Sequence, residues 1–282
     1  MTPNTPAAVR VAALQMISTP ELERNLETAE RLVQRAAAEG AELVLLPEYF
    51  CLMGHKDTDK LAIAEAYGHG PIQTFLSEVA ASNQVNIVAG TLPLKVPEVD
   101  LPDATPRVFN SSLAFDSTGQ CVARYDKIHL FCFNKGAESY DEARVLKAGN
   151  TPVVAELAGL NVGLSVCYDL RFPELYRRMG QLQGPLDLIL MPAAFTYTTG
   201  RAHWEVLMRA RAIENQCYVL ACGQGGLHPN GRRTYGHSML VNAWGEVEAV
   251  QADGEGVVMG TVDPAKMNDI RASLPALTHR VL

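Results

Sequence analysis

Long apolar runs are missing from this sequence: no stretch approaches the ~18 apolar residues that a membrane-spanning helix needs. Clustered positive charge is missing too. The net charge is −7, and the only basic doublets, Arg177-Arg178 and Arg232-Arg233, read as solvated surface. A nucleic-acid partner would require a basic face, so none is expected. No cysteine pair has the C-x-x-C spacing of redox or zinc motifs; the six fall at positions 51, 121, 132, 167, 217 and 222. No two of the seven histidines stand at the i, i+4 spacing of a helical metal pair. Neither a metal nor another cofactor is therefore expected. Residues 1–6 show no charged leader running into an apolar stretch, so no secretory signal is read. With no leader and no paired spacing, the cysteines read as reduced thiols of a cytoplasmic protein.

What remains is an ordinary globular composition in 282 residues, enough for a full core in one domain spanning 1–282. Strand-like and helix-like segments alternate throughout. Val9 to Met16 reads as a strand. Thr19 as N-cap, Pro20 at the first helical position and Glu21 then open a helix, with Leu22, Leu26, Ala29, Leu32, Val33 and Ala36 at helical spacing. Leu43 to Leu46 is a short strand ending at Pro47-Glu48. A helix near Pro71 presents Ile72, Phe75, Leu76, Val79 and Ala80 on one face. Asn86 to Thr91 reads as a strand and Pro93 to Pro106, with four prolines, as a surface loop. Phe109 to Phe115 and Cys121 to His129 form a predicted hairpin. Farther on come a strand (Leu186 to Met191), a helix (Ala202 to Asn215) and a strand (Cys217 to Cys222). A hairpin turning at Trp244-Gly245 and a last strand, Val257 to Val262, complete the pattern. It predicts one α/β domain with a mixed sheet.

Cys167 stands out. The apolar run Asn161-Val-Gly-Leu-Ser-Val-Cys167 ends at the thiol, and Pro173-Glu174 suits the first turn of a following helix. A thiol on such an elbow faces a cleft and lies near backbone N–H groups, Tyr168 first, that can stabilise negative charge. The competing reading is a buried cysteine acting as a small hydrophobe.

Three charged residues sit in comparable tension with their surroundings. Glu48 ends an all-apolar strand, where an unpaired charge is costly to bury, unless it faces solvent. Lys127 interrupts the strand-like Arg124-Tyr-Asp-Lys-Ile-His-Leu-Phe131 and is either an exposed edge residue or a fixed ammonium. Glu142, in a polar segment, is either a surface charge or a paired one. Together they could hydrolyse an amide without a metal. Cys167 would attack the carbonyl carbon, Glu48 would shuttle the proton, Lys127 would stabilise the oxyanion, and Glu142 would orient the lysine or assist water.

Leu-Pro-Glu48, Tyr-Asp-Lys127-Ile-His and Ser-Val-Cys167-Tyr-Asp, in that order, resemble the Glu-Lys-Cys triad of the nitrilase superfamily of carbon–nitrogen hydrolases. The resemblance covers about residues 8–270, and Glu142 matches the family's second glutamate. It implies an αββα four-layer sandwich that pairs with a second copy, as a homodimer or higher oligomer, with the tail at about 265–282 a candidate for the interface. Phe195 to Gly200, Ala202 to Glu205, Arg209 to Tyr218 and Tyr235 to Met239 are similar to deaminated glutathione amidases of the Nit branch. This implies cleavage of the amide to 2-oxoglutarate and cysteinylglycine through a cysteine thioester. The alternatives are an ω-amidase acting on 2-oxoglutaramate, another small-molecule amidase or carbamoylase, and a silent binding protein. Phe131 to Lys135 departs from the loop expected of either animal enzyme. A substrate carrying a carboxylate beside a keto group should meet a cation; Arg171 is the candidate, or else braces the elbow against Glu174. Tyr49, Phe195 and Thr199 are candidates to line the pocket.

Overall fold

The computed structural model describes residues 7–101, 105–135 and 138–281. Residues 1–6, residues 102–104 of the expected loop and Leu282 of the expected interface tail lie outside the described residues.

Two mixed sheets form the centre. In the first, Gly256–Val262, Val9–Gln15, Leu43–Leu45, Asn86–Val88, Val108–Phe115 and Leu92–Lys95 lie side by side, and Cys121–Asp126 and Leu146–Lys147 also pair with Val108–Phe115. In the second the order is Val153–Leu157, Leu160–Leu164, Leu188–Ala193, Tyr218–Gly223, Ser238–Val241 and Val247–Gln251. Each sheet has three parallel strands at its heart and antiparallel neighbours outside them.

Side-chain alternation makes four layers. Val11 and Ala13 point one way and join the core shared with the second sheet. Ala12 and Leu14, between and beyond them, point the other way onto the helices Leu22–Ala38 and Pro71–Asn83. The period of two in a strand requires this split once both faces are covered. Pro173–Leu182 and Tyr197–Asn215 cover the outer face of the second sheet through Tyr176, Met179, Trp204 and Met208. The result is the expected αββα sandwich.

Several boundaries differ from expectation. The first helix starts at Leu22 with Glu21 as cap. Thr19 is instead locked to Asn25, whose side chain accepts from the Thr19 N–H and donates to its carbonyl, while the Thr19 hydroxyl accepts from the Glu21 N–H. Pro93 lies in the strand Leu92–Lys95, not in a loop. The helix expected at Ala202 starts at Tyr197, because the Thr196 hydroxyl caps it by accepting from Thr199 N–H. Four short strands, forming the hairpins Cys132–Lys135/Glu138–Asp141 and Gly225–Leu227/Arg233–Tyr235, escape the sequence pattern, being too short to show alternation. So does the helix Pro264–Ser273, capped by Asp263. It docks on its own chain, with Met267 buried and Arg271 donating to the carbonyls of Gln216 and Leu186.

Candidate active site

Parallel strands deliver their C-terminal ends to one place, the usual location of a site in such sheets. Glu48 follows Leu43–Leu45, Cys167 follows Leu160–Leu164, and Ala194 follows Leu188–Ala193. Gly90 sets the approach of one of these ends. Its φ is 46°, and a Cβ there would overlap the Pro47 carbonyl, next to Glu48.

Glu48 is 1% exposed and Lys127 is 0% exposed. Such charges survive burial only with complete partners. The Lys127 ammonium lies 2.9 Å from Glu48 Oε1 and 2.8 Å from Glu142 Oε2. Glu48 Oε1 also accepts from Asn110 Nδ2 at 2.9 Å, and Oε2 accepts from the Ala194 N–H at 2.8 Å. Glu142 accepts from the Tyr49 hydroxyl at 2.8 Å and from the Phe131 N–H at 2.7 Å. Burial pulls the lysine toward the neutral form, but Glu142 and Glu48 outweigh it and raise its pKa. Burial likewise pushes Glu142 up, and the Lys127 charge and hydrogen bonds bring it below the ordinary carboxylate value. An ammonium between two carboxylates is thereby fixed in place.

Cys167 sits in this cluster at φ 50°, a left-handed conformation that is strained for a side-chain-bearing residue. It opens the short 3₁₀ segment Cys167–Arg171 before the helix Pro173–Leu182. Burial raises the thiol pKa well above 9, and Glu48, by charge and hydrogen bond, raises it further; Lys127 opposes both. These causes favour the protonated thiol over the thiolate. A carboxylate that hydrogen-bonds it is placed to receive the proton as the sulfur attacks.

A recess opens beside the sulfur, lined by Glu48, Phe131, Glu142, Cys167, Tyr168, Phe195 and Thr199, with Arg232. A second recess, lined by Tyr49, Lys60, Tyr140 and Asp141, meets it at Phe131, Glu142 and Arg232. Of the sequence candidates, Glu48, Lys127, Glu142 and Cys167 are brought together, with Tyr168, Phe195, Thr199 and Tyr49 around them. Arg171 is not among the lining residues: its Nη1 lies 3.2 Å from His203 Nδ1, and its guanidinium stacks over the Tyr168 and Phe195 rings. No ion pair joins it to Glu174 among the described residues.

Arg232, read as part of a solvated doublet, is instead a wall of both recesses. Only its neighbour turns outward: Arg233 is exposed, 3.7 Å above the Tyr197 ring. Asn110 and Asp169 were also missed. Asn110 lies 62 residues from the carboxylate it bonds, and nothing in its local sequence signals that pairing. No group of three or more metal-ligating side chains occurs among the described residues.

The carbon–nitrogen hydrolase profile matches residues 10–272. Deaminated glutathione amidase of Synechocystis sp. is 41% identical over 96% of this chain and 97% of its own length. The enzyme of that name from Mus musculus is 37% identical over 96% of this chain and 82% of its length. A chloroplastic omega-amidase of Arabidopsis thaliana is 34% identical over 96% and 72%. Among solved structures, the Caenorhabditis elegans NitFhit protein superposes with a TM-score of 0.88 at 35% identity, covering 98% of this chain and 66% of the other. The profile match over residues 10–272 and these identities make the chain a member of the carbon–nitrogen hydrolase family, within the nitrilase superfamily.

Proposed function

We propose that this enzyme hydrolyses the amide of deaminated glutathione, releasing 2-oxoglutarate and cysteinylglycine. The observation that carries the proposal is the Cys167 thiol on a strained elbow beside the Glu48–Lys127–Glu142 cluster. Relatives bearing that activity in their names, similar along nearly the whole chain, support the substrate.

In the proposed cycle Glu48 takes the Cys167 proton as the sulfur attacks the amide carbon. The carbonyl π pair moves to oxygen, and the oxyanion is met by the Lys127 ammonium and the Tyr168 N–H. The pair returns, the C–N bond breaks, and Glu48 gives its proton to the leaving nitrogen. A thioester remains. Water then attacks it, with Glu48 accepting the water proton and returning it to sulfur as the C–S bond breaks. Glu142 holds Lys127, and Tyr49 holds Glu142. Phe195 and Thr199 bound the acyl pocket.

The test is kcat/KM for deaminated glutathione against 2-oxoglutaramate, with cysteinylglycine and ammonia as the respective products, because that ratio is specificity. A ratio favouring deaminated glutathione supports the reading. A ratio favouring 2-oxoglutaramate would move the enzyme to ω-amidase activity, a reading with which the Arabidopsis relative is consistent.

The same proposal places the enzyme in the cytoplasm as a homodimer. All six cysteines are free thiols, as a reducing compartment allows. Val206 and Ile213, two turns apart on one helix, are 66% and 50% exposed, and Trp244 nearby is 56% exposed. An apolar patch of this kind suits a self-complementary interface. Light scattering should give twice the 30.6 kDa chain mass, and Val206→Glu should halve it.

A further inference from the structure

The candidate site holds three cations, and two already have acids. Lys127 lies between Glu48 and Glu142. Lys60, beneath whose ammonium the Tyr49 ring lies, pairs with Asp57 at 3.6 Å. Arg232 is different. Among the described residues no carboxylate lies within ion-pair distance of it. Its Nε is buried and has no hydrogen-bond partner, and its Nη1 meets only the Met53 sulfur, at 3.9 Å. A buried guanidinium N–H without an acceptor is costly, because it forfeits water and gains nothing.

Nor is this a loose surface arginine. The Arg232 N–H donates to Asn230 Oδ1 at 2.9 Å, and its carbonyl accepts from the His228 N–H at 2.8 Å. Asn230 is tied in turn to the Gly54 carbonyl at 2.7 Å. The guanidinium rests over the Tyr140 ring at 5.3 Å, and Arg232 lines both recesses. Among the described residues it is the one cation that lines the recess holding Cys167, and no acid neutralises it.

We propose that Arg232 grips the carboxylate at the far end of the acyl group that Cys167 receives, and so selects amides of dicarboxylic acids. The planar fork of a guanidinium matches a carboxylate with two parallel hydrogen bonds, and the orphaned Nε supplies one of them. Arg171 is not among the residues lining that recess, and its Nη1 lies 3.2 Å from His203 Nδ1. The inference deepens the reading given under Proposed function and rests on the same site, but its test does not depend on turnover.

Glutarate and pentanoate differ only in the distal group, carboxylate against methyl. Each is titrated as a protectant of Cys167 against iodoacetamide, with modification followed by peptide mass, in the unmodified enzyme, in Arg232→Gln and in Arg232→Lys. Glutarate should protect the unmodified enzyme and lose at least about tenfold in apparent affinity in Arg232→Gln, as expected for losing charge-assisted hydrogen bonds. Pentanoate should protect equally in both, and Arg232→Lys should recover part of the glutarate effect. Unchanged glutarate protection, or equal weakening of both acids, would overturn the assignment. In turnover, Arg232→Gln should raise KM for 2-oxoglutaramate with kcat little changed. A defect confined to deaminated glutathione would put the arginine on the departing dipeptide and equally overturn it. Should the unmodified enzyme fail to cleave deaminated glutathione, the substrate reading falls, while the protection assay still decides for or against Arg232.

Discussion

The buried carboxylate of Asp169 lies 2.7 Å from the Nδ1 of His129 and joins the loop after Lys127 to the elbow bearing Cys167. The same side chain accepts from the His129 N–H at 3.1 Å, the Val166 N–H at 2.9 Å and the Tyr125 hydroxyl at 2.6 Å. Four donors from both sides of the site thus converge on one acid that touches none of the reacting atoms. Asp169→Ala leaves the Val166 N–H and the Tyr125 hydroxyl buried and unpaired, and the partly buried His129 donors without their acid. It should lower stability by about 2–3 kcal/mol, read by guanidinium denaturation, and lower kcat because the lysine loop and the elbow lose their common anchor. Full stability with normal kcat would show that the linkage carries no weight.

The strain at Cys167 separates stability from activity. Alanine keeps the left-handed backbone penalty, whereas glycine relieves about 1–2 kcal/mol of it. Both Cys167→Ala and Cys167→Gly should be inactive yet folded. The glycine variant should be the more stable of the two by about 1 kcal/mol, less what the smaller residue loses in packing. Amide turnover by either variant would exclude the thiol as nucleophile.

Glu48→Gln should divide two properties that usually travel together. Glu48 raises the thiol pKa through its charge and hydrogen bond, whereas Lys127 lowers it. With that charge removed, the thiolate forms at lower pH, so the pH profile of Cys167 alkylation should move toward neutrality. Turnover should nonetheless fall by about 10²–10⁴, because no group remains to protonate the leaving nitrogen. Intact mass should show no acyl-enzyme accumulating on mixing with substrate. Rapid stoichiometric acylation of the Gln variant would remove Glu48 from the proton shuttle.

How much could be read beforehand follows from where the information lies. Glu48, Lys127 and Cys167 each break a local apolar pattern, and a broken pattern is visible in one dimension. The four-layer packing was visible only through resemblance, since periodicity tells that a strand has two covered faces but not what covers them. Arg171 was singled out because it stands one turn past the nucleophile, yet spacing does not fix where a long side chain points; it turns to His203. Arg232 lay hidden for the opposite reason. A basic doublet on a short hairpin looks solvated, and long-range ties that spacing does not show, from Asn230 to Gly54 and from Tyr235 to Phe195, bring that hairpin over the recess. Asn110 and Asp169 act across 62 and 40 residues, respectively, a range at which sequence spacing says nothing.

The Glu142–Lys127 pair sets an acid limit on stability, and the sign follows from the direction of the shift. The folded enzyme holds Glu142 below its ordinary value of 4.5. The unfolded chain therefore takes up the proton first as pH falls, and the pair's contribution is complete above about pH 5 and declines through the lowered value. Glu142→Gln abolishes this contribution and leaves the buried ammonium with Glu48 alone. At neutral pH the variant should be less stable by about 2 kcal/mol. The gap should narrow from about pH 5 downward, as the unfolded chain takes up the proton, and close once pH passes below the lowered value, where the folded enzyme takes it up as well. Denaturation midpoints for both proteins between pH 3 and 8 give the comparison directly. A gap that stays constant across that range would show that Glu142 contributes packing and neutral hydrogen bonds, not its charge.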